Sequence, residues 1–240
     1  MIDRNCLSVK RSLLLKCMRI CWLILGYIWL VSCQQQPIDK SFLEGIPCAS
    51  PCWQGITPGV TDEATAMTTL SNLDLVKPDS FDCGVHANDP SRHGCTFKRT
   101  SDEGGGISFK NGIVYAINIR SHIPLIDVID AMGEPDFVRV VNNSLGGDDC
   151  YYVFSYYVRG IELFANGCVG QNPGFEFSPE RRAVQVSADI PVLRLDFFMP
   201  GDDFESSLHN SHSDVDFVQR IMASAAPWTG YGFYELESLE

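Results

Sequence analysis

The sequence predicts an α+β protein: two helix plus antiparallel-sheet units in tandem, stapled by disulfides. Three observations lead there. Amphipathic helical spacing occurs twice, near residues 62–73 and 123–132, and β-rich alternating segments follow each time. Lys110-Asn111-Gly112 separates Ile107–Phe109 from Ile113–Ile119, the pattern of a tight hairpin. Six cysteines, an even number, lie between residues 48 and 168.

The chain opens with basic residues Arg4, Lys10, Arg11, Lys16 and Arg19 against one acid, Asp3, and then runs apolar and uncharged from Ile20 to Ser32. At 1.5 Å per residue that run is roughly 20 Å long, short of the ~30 Å hydrocarbon core. A basic stretch, a short apolar stretch and a small residue before a cut describe a secretory signal. Leu30-Val31-Ser32-Cys33 resembles a bacterial lipobox. That resemblance implies cleavage before Cys33 and acylation of its sulfur, so residues 1–32 are read as a lipoprotein signal. An uncleaved signal anchor is the alternative. Met18 begins a compact signal by itself, "MRICWLILGYIWLVSC", and is a second possible start. Gln34 to Asp39 follow as a polar tether, and residues 33–54 as a whole form the tether and a cysteine loop. One acyl chain anchors a protein only marginally; the triacylated cysteine implied by the lipobox meets the need alone.

Signal removal leaves 208 of the 240 residues and, by taking away five bases and one acid, moves the formal charge from −12 to −16. Such acidity argues against a nucleic-acid partner, whose phosphates call for Lys and Arg, and against a polybasic lipid-binding face. Cys48, Cys52, Cys83, Cys95, Cys150 and Cys168 remain for disulfides in an exported chain. Six cysteines allow fifteen connectivities. Nearest-neighbour pairing, Cys48–Cys52, Cys83–Cys95 and Cys150–Cys168, is the economical choice; the second would close "CGVHANDPSRHGC" as a polar loop.

Residues 55–121 make the first helix–sheet unit. "SFLEGIPCASPCWQGITPGVT" is an ordered Pro/Gly/Cys loop leading into it. Thr61 or Asp62 caps a helix to Leu73, with Ala64, Met67, Leu70 and Leu73 on one face. Cys95–Arg99 is a short strand, and in the hairpin Ile113, Tyr115, Ile117 and Ile119 form the apolar side. Residues 122–200 make the second unit. Leu125, Val128, Ile129 and Met132 line its helix, which Gly133 and Pro135 stop. Phe137–Val141, two aromatic-rich strands around Arg159-Gly160, and Ala183–Ala188 follow. Residues 201–240 hold a helix through Val215, Val218, Ile221 and Met222 and an aromatic tail with Trp228, Tyr231, Phe233 and Tyr234.

"GITPGVTDEATAMTTL" and "SHIPLIDVIDAMGEPDFVRV" resemble the helix entries of small bacterial envelope lipoproteins of the SmpA/OmlA (BamE)-like family. They also resemble the tandem helix–sheet repeats of the β-lactamase-inhibitor-protein-like family. Met132-Gly133-Glu134-Pro135 follows that pattern, while Leu73-Asp74-Leu75 departs from it in the first copy. The resemblance implies a scaffold for protein contacts and no catalytic residues.

Other clusters have ordinary readings. Cys83, His86, His93 and Cys95 are zinc-ligand types in an unusual spacing, and a disulfide with two loop histidines is preferred. His209, His212, Asp214 and Asp216 read as a solvated helix start rather than a metal site. Cys48-Ala-Ser-Pro-Cys52 is not a C-x-x-C redox motif. Gly104-Gly105-Gly106 precedes a strand and lacks the phosphate-loop lysine. Asp148-Asp149 and Asp202-Asp203 fit turns. No cofactor motif occurs.

The expectation that results is a non-catalytic, lipid-anchored protein of the bacterial cell envelope. It would sit on the extracytoplasmic side of a membrane, held through Cys33, and bind an envelope protein or steady an assembly. Tyr151, Tyr152, Tyr156 and Tyr157 motivate the partner, since alternate tyrosines lie on opposite sheet faces and tyrosine is enriched at interfaces. The alternative is a cell-surface hydrolase or metal-dependent enzyme with histidine and carboxylates converging in a cleft. Cys33→Ser should abolish maturation and release the protein from the bilayer fraction; fractionation of cells expressing the variant checks this.

Overall fold

Asp62, exposed and extended at φ −75°, ends the entry loop by turning its carboxylate back onto the chain. Its Oδ1 accepts the Thr65 amide at 2.9 Å, and that bond starts helix α1 (Glu63–Ser71). The carboxyl is held below the usual carboxylate range by this backbone bond and by the Thr65 hydroxyl. Strands β1 (Asp82–His86), β2 (Asp89–Lys98), β3 (Gly104–Lys110) and β4 (Ile113–Pro124) follow. Helix α2 (Leu125–Met132) leads to β5 (Phe137–Asn142), β6 (Cys150–Tyr156), a 3-10 turn at Tyr157–Arg159, and β7 (Ile161–Asn166). Next come β8 (Phe177–Ser178), β9 (Ala183–Val186) and β10 (Pro191–Phe198). Helices α3 (Phe204–Ser211) and α4 (Val215–Ser224), then β11 (Ala226–Pro227) and β12 (Gly232–Glu235), end the order. The computed structural model describes residues 40–86, 89–101, 103–142, 150–166, 177–178, 183–211 and 215–235.

Nine strands form one antiparallel sheet in the order β1-β2-β3-β4-β10-β7-β6-β5-β11, and three form a small sheet, β12-β9-β8. The β3–β4 turn is the predicted one: Asn111 and Gly112 both have positive φ, 53° and 76°, as a two-residue hairpin turn demands. The fold class is therefore α+β, with one large antiparallel sheet and few helices.

One face of the large sheet carries the main core. Phe97, Ile107, Phe109, Val114, Ile117, Ile119, Leu163, Leu195 and Phe197 point there and are buried. Over them pack Ala66 and Leu70 of α1, Leu125, Val128 and Met132 of α2, and the entry loop through Phe42, Trp53 and Ile56. Trp53 is fixed by reciprocal backbone bonds with Ile56 (3.0 and 2.9 Å) and stacks against Phe97. The small sheet closes the same core, with the Tyr152 hydroxyl donating to the Gln185 carbonyl at 3.1 Å.

Among the described residues the other face is covered mainly on one side. There α3 and α4 pair around Leu208, Val218 and Ile221, and Phe204 of α3 stacks on Phe137 of β5 with ring centroids 4.4 Å apart.

Cys48 bonds Cys52 and Cys83 bonds Cys95, the two expected pairings within reach of description. Cys168 lies outside the described residues, as do Cys33 and the whole signal. Disulfides of this kind belong to an oxidising, extracytoplasmic setting. No helix among the described residues is long and apolar enough to cross a membrane.

Several local expectations are corrected. The segment from Cys83 to Cys95 is a two-stranded ribbon, β1–β2, with the cysteines directly opposite, rather than a loop. A polar composition hid it, because a ribbon with one open face has no need of apolar alternation. In α1 the buried pair is Ala66 and Leu70, while Ala64 faces solvent. In β4 the buried set is Val114, Ile117 and Ile119, and Ile113 and Tyr115 turn away. A bulge opposite Ser108/Phe109 inserts one residue and reverses the side-chain parity beyond it. The strand β10 was not foreseen; its own bulge at Val192/Arg194 breaks the period-two pattern. The aromatic tail divides: Tyr234 is buried, whereas Tyr231 and Phe233 are 42% and 47% exposed.

Phe197, fully buried in β10 between both halves of the sheet, tests this core. Phe197→Ala should cost about 3–5 kcal/mol in urea unfolding, against within about 0.5 kcal/mol for exposed Val158→Ala.

Candidate functional site

Among the described residues, the uncovered part of the second face belongs to β1–β3 and the part of β4 that α3 does not reach. The register lays its side chains out in rows. One row reads Lys98, Gly104, Arg120 and Arg194 across β2, β3, β4 and β10. The next reads Asp82, Thr96, Gly106, Asn118 and Asp196, and a third Gly84, Gly94, Ser108 and Ala116. Small residues thus occupy the middle of the face, and they leave a groove of about 510 Å³. Asp82, Gly94, Gly106, Ser108, Tyr115 and Asn118 are among its lining.

The glycines here are set by contact. A Cβ at Gly106 would lie 2.7 Å from the Asn118 amide nitrogen, and one at Gly94 would lie 3.1 Å from the Ile107 carbonyl oxygen. Tyr115, turned outward by the bulge, forms one wall with the Arg92 guanidinium 4.7 Å over its ring. Burial pushes the Tyr115 phenol up, and the neighbouring Arg92 offsets part of that shift.

The covered half of the same face has different chemistry. Arg139 and Glu162 approach to 3.5 Å and Ser155 donates to Glu162 at 3.1 Å, all three buried. Arg194 sits 3.8 Å over the Phe164 ring and pairs with Asp196 at 2.8 Å.

The histidines are engaged in bracing. His93 meets the Glu63 carboxylate at 2.8 Å and stacks on Phe109, tying α1 to β2. His122 meets Glu103 at 2.9 Å, and Glu103 also takes Arg99, whose guanidinium donates to the Arg120 carbonyl. His209 faces Glu205 one turn away on α3, at 3.9 Å. Among the described residues no group of three or more His, Cys, Asp or Glu is placed to hold a metal. Cys83 and Cys95, being bonded to each other, offer no thiolate, while the His86 side chain, His212, Asp214 and Asp148-Asp149 lie outside the described residues.

The four tyrosines are largely internal. Tyr152 and Tyr156 share the core face, where burial raises both phenols well above their ordinary range, and the Tyr156 hydroxyl donates to the Gly133 carbonyl at 2.9 Å. Tyr151 packs on Phe164, and Tyr157 packs on Phe137 and Phe204. Reading along the chain pointed to β6 for an interface; the open face lies on β1–β4. No run of residues could have announced it, because neighbours on that face come from four strands. Comparison with protein-family models, curated proteins and solved structures returned no match.

The buried Arg139–Glu162 pair gives a stability test. Arg139→Met removes the cation that faces the buried Glu162 carboxylate and should cost about 3–5 kcal/mol, with R139M/E162L recovering most of it in thermal and urea unfolding.

Proposed function

We propose that this chain is a non-catalytic, lipid-anchored protein of the bacterial envelope that holds another envelope protein against the open face of β1–β4. The observation that carries this reading is the asymmetry of one sheet face. Among the described residues α3 and α4 lie over its β5–β7 side, and its β1–β4 side, which α3 touches only at β4, is left as a polar, small-residue groove.

Other features support it. The lipobox-like Leu30-Val31-Ser32-Cys33 supplies the anchor at Cys33. Two disulfides suit the oxidising side of a membrane. The His93–Glu63 and His122–Glu103 pairs each tie separate segments together, which favours a scaffold over the hydrolase alternative.

We read the large sheet as two copies of one unit, a helix followed by four strands. The first copy is α1 with β1–β4 and the second is α2 with β5, β6, β7 and β10. The strand order supports this, since the last strand of each copy lies at the centre and the first lies outermost but for β11. It is also the arrangement that the SmpA/OmlA-like and β-lactamase-inhibitor-protein-like resemblance implies.

A photo-crosslinking residue in place of Ser108, on the open face, should give a discrete protein adduct in intact cells. The same residue at Gln219, exposed on α4, should not. Absence of a Ser108-dependent adduct refutes the reading.

A further inference from the structure

We infer that the row Lys98–Gly104–Arg120, with the groove beside it, is the docking site for an extended acidic segment of a partner protein. This rests on the docking role proposed for the same face and goes further by naming the chemistry of what docks.

The whole chain is −12, yet the described outward side chains of β1–β4 include Arg92, Lys98, Lys110 and Arg120 against Asp82 alone. Most other cations are engaged. Lys40 holds Asp127, Arg99 holds Glu103, Arg139 holds Glu162 and Arg194 holds Asp196. By contrast, the side chains of Lys98, Lys110 and Arg120 have no partner among the described residues, and all three are exposed. All three lie on the half-face that no described residue covers, Lys98 and Arg120 at one end of β3 and Lys110 at the other.

Geometry then narrows the occupant. Lys98 and Arg120 flank Gly104, two strand spacings apart, so about 10 Å separates their backbones. At Gly104 the Arg120 side chain lies close over the strand: a Cβ there would meet its Cδ at 4.0 Å and the Phe97 carbonyl oxygen at 3.8 Å, so the glycine lets the guanidinium lean toward Lys98. An extended polypeptide advances about 3.3–3.6 Å per residue, so carboxylates two or three residues apart reach both cations. Arg120 can take a carboxylate with two parallel N–H donors. Opposite Gly104 the cations are aligned in a row rather than closed into a cup, which suits a linear polyanion better than a single headgroup. The molecule also shows how this face is closed elsewhere. Its covered half lies beneath a stretch of the chain's own polypeptide that carries Asp202, Asp203, Glu205 and Asp216.

The test uses the full mature chain in neutral detergent with fluorescein-labelled dodecapeptides of alternating Glu-Gly, Ser-Gly and Lys-Gly. Fluorescence anisotropy should show the Glu-Gly peptide binding at least tenfold more tightly than the other two. Raising salt from 50 to 500 mM should weaken it. K98E/R120E should lower its affinity at least tenfold, while the charge-matched K40E/R220E leaves it within twofold. Equal binding of the Glu-Gly and Ser-Gly peptides, or equal loss in both double variants, overturns the inference. So does heparin binding that depends on Lys98 and Arg120 when the Glu-Gly peptide does not bind, since the ligand is then a glycan. A Ser108 adduct that persists in cells alongside such a result leaves the docking role standing without the acidic partner.

Discussion

The whole architecture depends on the pairing of β4 with β10. Seven register pairs join them, from Pro191 opposite Pro124 to Phe198 opposite Ala116, and β10 pairs β7 on its other side. Without β10, β4 and β7 would each present a bare edge of unpaired amides and carbonyls. The register shifts at Val192/Arg194 against both neighbours: opposite β7 the extra residue is Leu193 of β10, whereas opposite β4 it lies on β4, between Arg120 and Ile123. That shift lets Val192, Leu195 and Phe197 all reach the core while Arg194 and Asp196 stay on the other face. This strand comes late in the chain and must insert at the centre, so the core is complete only when sequence-distant parts have met. Local helix and hairpin formation can precede that step but cannot replace it.

Once the sheet is continuous, its two faces face different energetic problems. The core face is apolar throughout and is covered by α1, α2, the entry loop and the small sheet. The opposite face is polar, and each half handles that differently. Under α3 and α4 the polar groups have to be met internally, and Arg139, Glu162 and Ser155 do most of this together, the Arg139 Nε standing without a hydrogen-bond partner among the described residues. Over β1–β4 water does the work, and the small side chains there give up apolar burial that a packed face would have used. Glycine is a poor strand residue. At Gly106 and Gly94 a Cβ would crowd the Asn118 amide and the Ile107 carbonyl, so the small floor suits the packing of the strands.

Those parts of the fold specified by neighbouring residues were legible in the sequence. Asp62 capping α1, Gly133 ending α2, the Asn111-Gly112 turn and the Cys83–Cys95 bridge all act over a few residues or a single hairpin. Features set by bulges were not. One extra residue in β4 moved Ile113 and Tyr115 off the core, and one in β10 concealed a strand whose composition, Val-Leu-Arg-Leu-Asp-Phe-Phe, is strongly β-forming. The open face was hidden more deeply. Lys98, Gly104 and Arg120 are unremarkable in their own segments and become one feature only through the β2–β3–β4 register.

The acidity of the chain acquires a second meaning from that register. Read as a total, −12 speaks only of solubility and of partners to be avoided. Set against a face where exposed cations stand without partners, the same total becomes a device of selection. An acidic segment is repelled over most of the surface and attracted at one place, and discrimination of this sort gains as much from rejection elsewhere as from attraction at the site. Because the Debye length is about 8 Å at physiological salt, the repulsive surface and the attractive row act as separate neighbours rather than cancelling. An acidic exterior and a basic row on one half-face are therefore compatible, and together they would orient an acidic segment docked there.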